Sequence, residues 1–132
     1  MNVTIEKQSD GTYIAYNIDG DQVGLIGTGN SVAEAKEDFF NSMAEVREDY
    51  KGMGEAIPVC LNEQVSFNFD ISSLFEYYNI FNVSALAKYL GINASLMRQY
   101  KKGDTPISDA QLRKIENGMH NLAHELSALS LV

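Results

Sequence analysis

Apolar residues alternate along the first part of this chain and recur every three or four positions along the rest. Asn2–Lys7 puts Val3 and Ile5 on one face, Thr12–Asn17 is rich in β-formers including Tyr13 and Tyr16, and Gln22–Gly27 is a third such run. A period of two predicts half-buried strands. Ser9-Asp10-Gly11 and Asp19-Gly20-Asp21 read as the turns between them, which gives an antiparallel meander.

The period changes after Asn30. Ser31 with Glu34 three residues on is a capping box, the hydroxyl accepting from the Glu34 amide while the carboxylate reaches back. Beyond it Val32, Ala35, Phe39, Met43, Val46 and Tyr50 keep helical spacing, and Glu37, Glu45, Glu48 and Asp49 fall toward solvent. Lys51-Gly52 predicts the helix end, 52–58 a loop, Val59–Leu61 a short extended piece and Val65–Asp70 a fourth strand.

From Ile71 onward the signals are helical. They predict a short helix over Ser72–Tyr78, one capped by Asn82 and running to Leu90, and one from Asn93 or Ala94 to about Lys102. A long last helix starts at the capping box Ser108/Gln111 and ends near Leu129. Gly118 inside it weakens it by roughly 1 kcal/mol relative to alanine. Strands and helices are segregated, so the fold class is α+β. The expected arrangement is an N-terminal β-β-β-α-β antiparallel-sheet domain over 1–70 and an all-α domain over 71–132.

Charge follows the same division. The net charge is −8, yet residues 1–70 hold 13 acids and four bases, and residues 71–132 hold five acids and six bases. No acid lies between Glu76 and Asp104, the stretch that holds Arg98, Lys101 and Lys102. Local positive charge, not whole-chain charge, governs attraction to a phosphate backbone.

That stretch also carries the most specific motif. Ala87 is the small residue that two steeply crossing helices need, Gly91 supplies a turn residue tolerant of positive φ, and Leu86, Leu90, Ile92, Met97 and Tyr100 fill the wedge. Residues 83–103 therefore read as a helix-turn-helix, whose plain alternative is a helical hairpin packing its own core. The outward face of the second helix favours the former. Asn93 and Ser95 stand near its N-terminus, where amides favour anions. Arg98 can pair with guanine and Gln99 with adenine, while Lys101, Lys102 and Ser84 of the preceding helix suit backbone contacts. The expected partner is double-stranded DNA, in the form of a palindromic operator read by a homodimer or higher homo-oligomer.

Other classes find little support. No Ser/His/Asp or Cys/His set suggests an enzyme, so no catalytic residue and no cofactor is expected. His120 and His124 are four apart on a helix, but lack the further ligands of a metal site. Gly27-x-Gly29 lacks the third glycine of a dinucleotide fingerprint and reads as a turn entering the helix. The start of the chain has no leader pattern and no stretch suits a membrane span. Cys60, the single cysteine, reads as a small buried hydrophobe. These features suit a cytoplasmic location.

The N-terminal pattern resembles a known family. Asp10-Gly11-Thr12-Tyr13 between two strands, a glycine-bearing third strand and Gly29-Asn30-Ser31-Val32-Ala33-Glu34-Ala35 are similar to the N-terminal domain of HicB-type antitoxins, in many of which a helix-turn-helix follows. The resemblance implies a partial RNase H-like domain without catalytic acids, which neutralises a small basic HicA-type ribonuclease toxin. It implies that the C-terminal domain represses its own operon. The chain departs from the family pattern at Ile18-Asp19-Gly20-Asp21, where no proline stands. The alternative is a stand-alone regulator whose N-terminal domain mediates oligomerisation or sensing.

Overall fold

The computed structural model describes residues 1–17 and 22–132; the expected turn at Asp19-Gly20-Asp21 lies outside the described residues. The protein is α+β, with a four-stranded mixed sheet and five α-helices among the described residues. In chain order these are β1 (Asn2–Lys7), β2 (Tyr13–Asn17), β3 (Ile26–Gly29), α1 (Val32–Gly52), β4 (Ser66–Phe69), α2 (Ile71–Tyr77), α3 (Val83–Leu90), α4 (Ala94–Lys102) and α5 (Asp109–Ala128). They form two compact units, Met1–Asn79 and Ile80–Val132.

The sheet runs β3-β2-β1-β4. β1 pairs antiparallel with β2, in register Val3 to Asn17 and Ile5 to Ala15, and β2 pairs antiparallel with β3. The turn between β1 and β2 is tight: Gly11 takes φ of 87°, and the Asp10 carboxylate accepts from the amide and hydroxyl of Thr12. Those two bonds, the hydroxyl's foremost, hold the Asp10 carboxyl below its ordinary range.

The expectation of an antiparallel sheet is corrected by β4, which lies parallel to β1, Val3 beside Phe67 and Ile5 beside Phe69. The 21-residue α1 carries the chain across before β4 is laid down, and a parallel neighbour needs such a crossover. The third strand also starts later than expected. Asn17 holds residues 23–25 by its side chain, its Nδ2 donating to the Val23 carbonyl and its Oδ1 accepting from the Leu25 amide. The ladder therefore begins only at Ile26. Gly27 and Gly29 lie in β3 itself and not in a turn. Val59–Asn62 is a 3₁₀ turn instead of an extended piece.

α1 covers one face of the sheet. Val32, Ala35, Phe39 and Met43 are buried against Val3, Ile5, Tyr13 and Ala15, with Leu25, Cys60 and Leu61 closing the core. Ser31 caps the helix by accepting from the Glu34 amide, while the Glu34 carboxylate accepts from Asn30, one residue before the cap. At the other end the left-handed residue is Gly54 (φ 69°), with Glu55 donating to the Tyr50 carbonyl; Gly52 remains in the helix.

The expected boundary at residue 70 is likewise corrected, because α2 belongs to the first unit. Asp70 accepts from the Ser73 amide at the start of α2 and from the Lys7 amide at the end of β1, so one carboxylate joins strand and helix. Glu76 of α2 accepts from the Val32 amide in the first turn of α1. Phe69 stacks on Tyr77 at 5.9 Å, and the Lys36 ammonium lies 4.3 Å from the Phe67 ring centre and 4.4 Å from that of Tyr77. The change of period at Ile71 thus marks a helix that packs back onto the sheet. Counted over the two observed units, the first holds 14 acids and four bases, and the second four acids and six bases.

Candidate nucleic-acid interface

The second unit is built around the junction of α3 and α4. Asn82 caps α3, accepting from the Ala85 amide at 3.0 Å, and Asn93 caps α4, accepting from the Leu96 amide at 3.1 Å. Between them Gly91 adopts φ of 72°, Ile92 donates to the Ala87 carbonyl and Gly91 to the Lys88 carbonyl. This pair of bonds is a Schellman motif, which ends one helix and redirects the chain into the next within two residues. Val83, Leu86, Ala87, Leu90, Ile92, Met97 and Tyr100 are buried in the wedge, together with Ile115 of α5. Lys114 of α5 donates to the Gly91 carbonyl at 3.0 Å, which satisfies the backbone at the tip of the turn.

Burial of Met97 and Tyr100 fixes the rotation of α4. Asn93, Ser95, Arg98, Gln99, Lys101 and Lys102 are consequently exposed. Ser84, in the first turn of α3, is half-buried. The structure brings Ser84 and Arg98 together, the guanidinium donating to the hydroxyl at 2.7 Å across the two helices. A guanidinium carries five N–H donors in a fixed fork, so this bond orients Arg98 and leaves donors for a further acceptor. Gln99 is also held, its Oε1 accepting from the Thr105 hydroxyl at 3.2 Å. Lys101 and Lys102 occupy the last turn of α4, beside the carbonyl end of the helix. Asn93 serves as the cap, so its carbonyl oxygen is committed to the helix and its amide is the group that remains for a ligand.

Two contributors lie beyond the motif. Thr105 and Lys114 position Gln99 and the turn, and both lie outside the helix pair in sequence. A basic residue 23 positions from the glycine it satisfies leaves no local pattern, so only the packing of α5 identifies it. Among the described residues, no three His, Cys, Asp or Glu side chains are grouped to hold a metal ion, His120 and His124 included. No helix of the described residues is long and apolar enough to cross a membrane.

Compared with known proteins, the chain matches no family model, no curated protein and no solved structure.

Proposed function

We propose that the second unit is a helix-turn-helix that binds double-stranded DNA in a sequence-dependent way, with α4 as the helix that enters the major groove. The observation that carries this reading is the face of α4. One side is buried through Met97 and Tyr100, and the opposite side presents an oriented arginine, a held glutamine and two lysines, with no acid on the helix. In this reading Arg98 and Gln99 meet base edges, Lys101 and Lys102 meet phosphates, and Asn93, Ser95 and Ser84 lie along the backbone path. The protein then acts as a repressor of its own operator.

The roles separate experimentally by selecting bound sequences from a random pool and measuring affinity against salt. Arg98→Ala is expected to cost about 1–3 kcal/mol on the selected site and to relax its base preference. Lys102→Ala is expected to weaken all sequences alike and to lower the salt slope by about 0.9. Uniform losses from both variants on selected and random DNA would refute base reading by Arg98.

The first unit extends the proposal. Its 14 acids against four bases suit a cationic protein partner, in line with the resemblance to HicB-type antitoxins and their small basic ribonuclease toxins. Co-expression with a small basic reading frame from the same operon is expected to yield a complex that elutes together at low salt and separates as salt rises. A basic partner that is not retained at low salt, or whose ribonuclease activity is unchanged in the complex, would leave DNA binding as the only function of the proposal.

A further inference from the structure

Arg47, one of four bases in the strongly acidic first unit, has no carboxylate partner. Its neighbours on α1, Glu45, Glu48 and Asp49, are exposed, whereas the Arg47 side chain is half-buried and its Nη2 donates to the Leu61 carbonyl. Among the described residues it enters no ion pair, and its Nε is buried with no acceptor. A buried donor left unmet is costly, so this guanidinium calls for a physical reason.

The same side chain lines a cavity of about 610 Å³ between α1 and residues 61–65, the stretch that leads into β4. Phe40, Met43, Leu61 and Val65 supply its apolar wall. Small-molecule sites span roughly 300–1,000 Å³ and combine a mostly apolar wall with a few polar groups that fix orientation. Two further polar residues stand on this wall, and neither takes up the Arg47 charge. The Glu63 carboxylate accepts from the Met1 ammonium at 3.1 Å, and Asn62 is uncharged.

We propose that this cavity binds a small carboxylic acid with an apolar tail, its carboxylate held by Arg47 and its tail laid on Phe40, Met43, Leu61 and Val65. Charge selects the head group, since the charge left without a partner on the wall is positive and disfavours a cation. Geometry selects a carboxylate, because a guanidinium fork meets two oxygens with two parallel N–H groups. Drawing the side chain toward such a ligand also gives the orphaned Nε an acceptor. The wall selects the tail. Phe40 is 43% exposed there, and covering its ring removes apolar surface from water, which a bare inorganic anion does not do.

This site lies within the first unit and rests on neither DNA binding nor a cationic protein partner, so it is tested without either. Octanoate is the probe, with octanol as its neutral counterpart and inorganic phosphate as the bare anion. In nitrogen-resolved NMR titrations of the full chain, octanoate is expected to shift the Leu61 and Val65 amides and the Arg47 Nε–H saturably, with a dissociation constant on the order of 1 mM or tighter. Octanol is expected to bind at least tenfold more weakly, and phosphate to leave these signals in place. Arg47→Met, which removes the charge and keeps an unbranched side chain, is expected to lower octanoate binding to the octanol level with the thermal melt still cooperative. Lys51→Met, which removes an exposed cation one turn farther along α1, is expected to change nothing. Equal binding of octanoate and octanol by the wild-type chain would overturn the proposal even if Arg47→Met fails to fold. So would the absence of saturable shifts at these signals, or octanoate binding that persists in a folded Arg47→Met chain. Phosphate binding as tight as that of octanoate would overturn it too, because the apolar wall would then contribute nothing.

Discussion

Gly27→Ala is expected to destabilise the first unit by about 3 kcal/mol or more, the upper end of what overpacking costs. A Cβ at this position would lie 2.2 Å from the Phe39 amide nitrogen, 2.4 Å from the Ala35 carbonyl oxygen and 2.6 Å from the Phe39 Cα. All three are backbone atoms of α1, so no side-chain rotation can relieve the overlap. Either β3 draws back from the helix or α1 shifts, and Phe39, fully buried at the same contact, loses its packing in both cases. Urea unfolding followed by circular dichroism reads the loss. Gly24→Ala is the matched control: nothing lies within 4 Å of a Cβ there, and its effect is expected to stay within about 0.5 kcal/mol. If the two variants unfold together, β3 and α1 do not make the close contact described.

The second large effect falls on the other unit. Met97 has no exposed surface and sits at the centre of the wedge between α3 and α4. Met97→Ala is expected to cost about 2–5 kcal/mol, through lost transfer energy and the cavity left behind. The unit Ile80–Val132 is small, and small domains keep little stability in reserve, so a loss of this size unfolds a large part of the population. DNA affinity is then expected to fall although no charge has changed. Two measurements separate this from loss of a contact: α-helical signal decreases with affinity, and Met97→Leu, which nearly conserves volume, retains both within about 1.5 kcal/mol. Loss of affinity in Met97→Ala with an unchanged melting profile would contradict the assignment of Met97 to the core.

Legibility in the sequence followed the range of the interactions involved. The caps at Ser31, Asn82 and Ser108 were readable because each side chain bonds an amide three residues away. The turn at Gly91 was readable for the same reason, since positive φ and a Schellman closure are local. Long-range placement was not. Nothing near Phe67 states that β4 pairs with β1 in parallel, and nothing near Asp70 states that its carboxylate also accepts from Lys7. The delayed start of β3 depends on an asparagine eight residues before Leu25.

Within the candidate interface the division is the same. The sequence placed Arg98, Gln99, Lys101 and Lys102 on one face of a helix, because the spacing of Met97 and Tyr100 sets which side turns inward. It could not tell that Arg98 leans on Ser84 or that Gln99 is held by Thr105, since both bonds depend on side chains that meet only after folding. Gly118 shows the difference most simply. By propensity it is a weak point in α5, but in the folded unit a Cβ there would lie 2.1 Å from the Leu90 Cδ2, so the glycine lets α5 approach α3 closely.

By itself the sequence determined the elements that close within a few residues: the period of each segment, the caps, the glycine turn and the separation of charge between the two ends of the chain. Tertiary structure decided the parallel strand, the assignment of α2 to the sheet, the tight contact at Gly27 and the cavity beside Arg47. Each of these depends on the distance between groups remote in sequence, and burial and hydrogen bonding act on that distance alone.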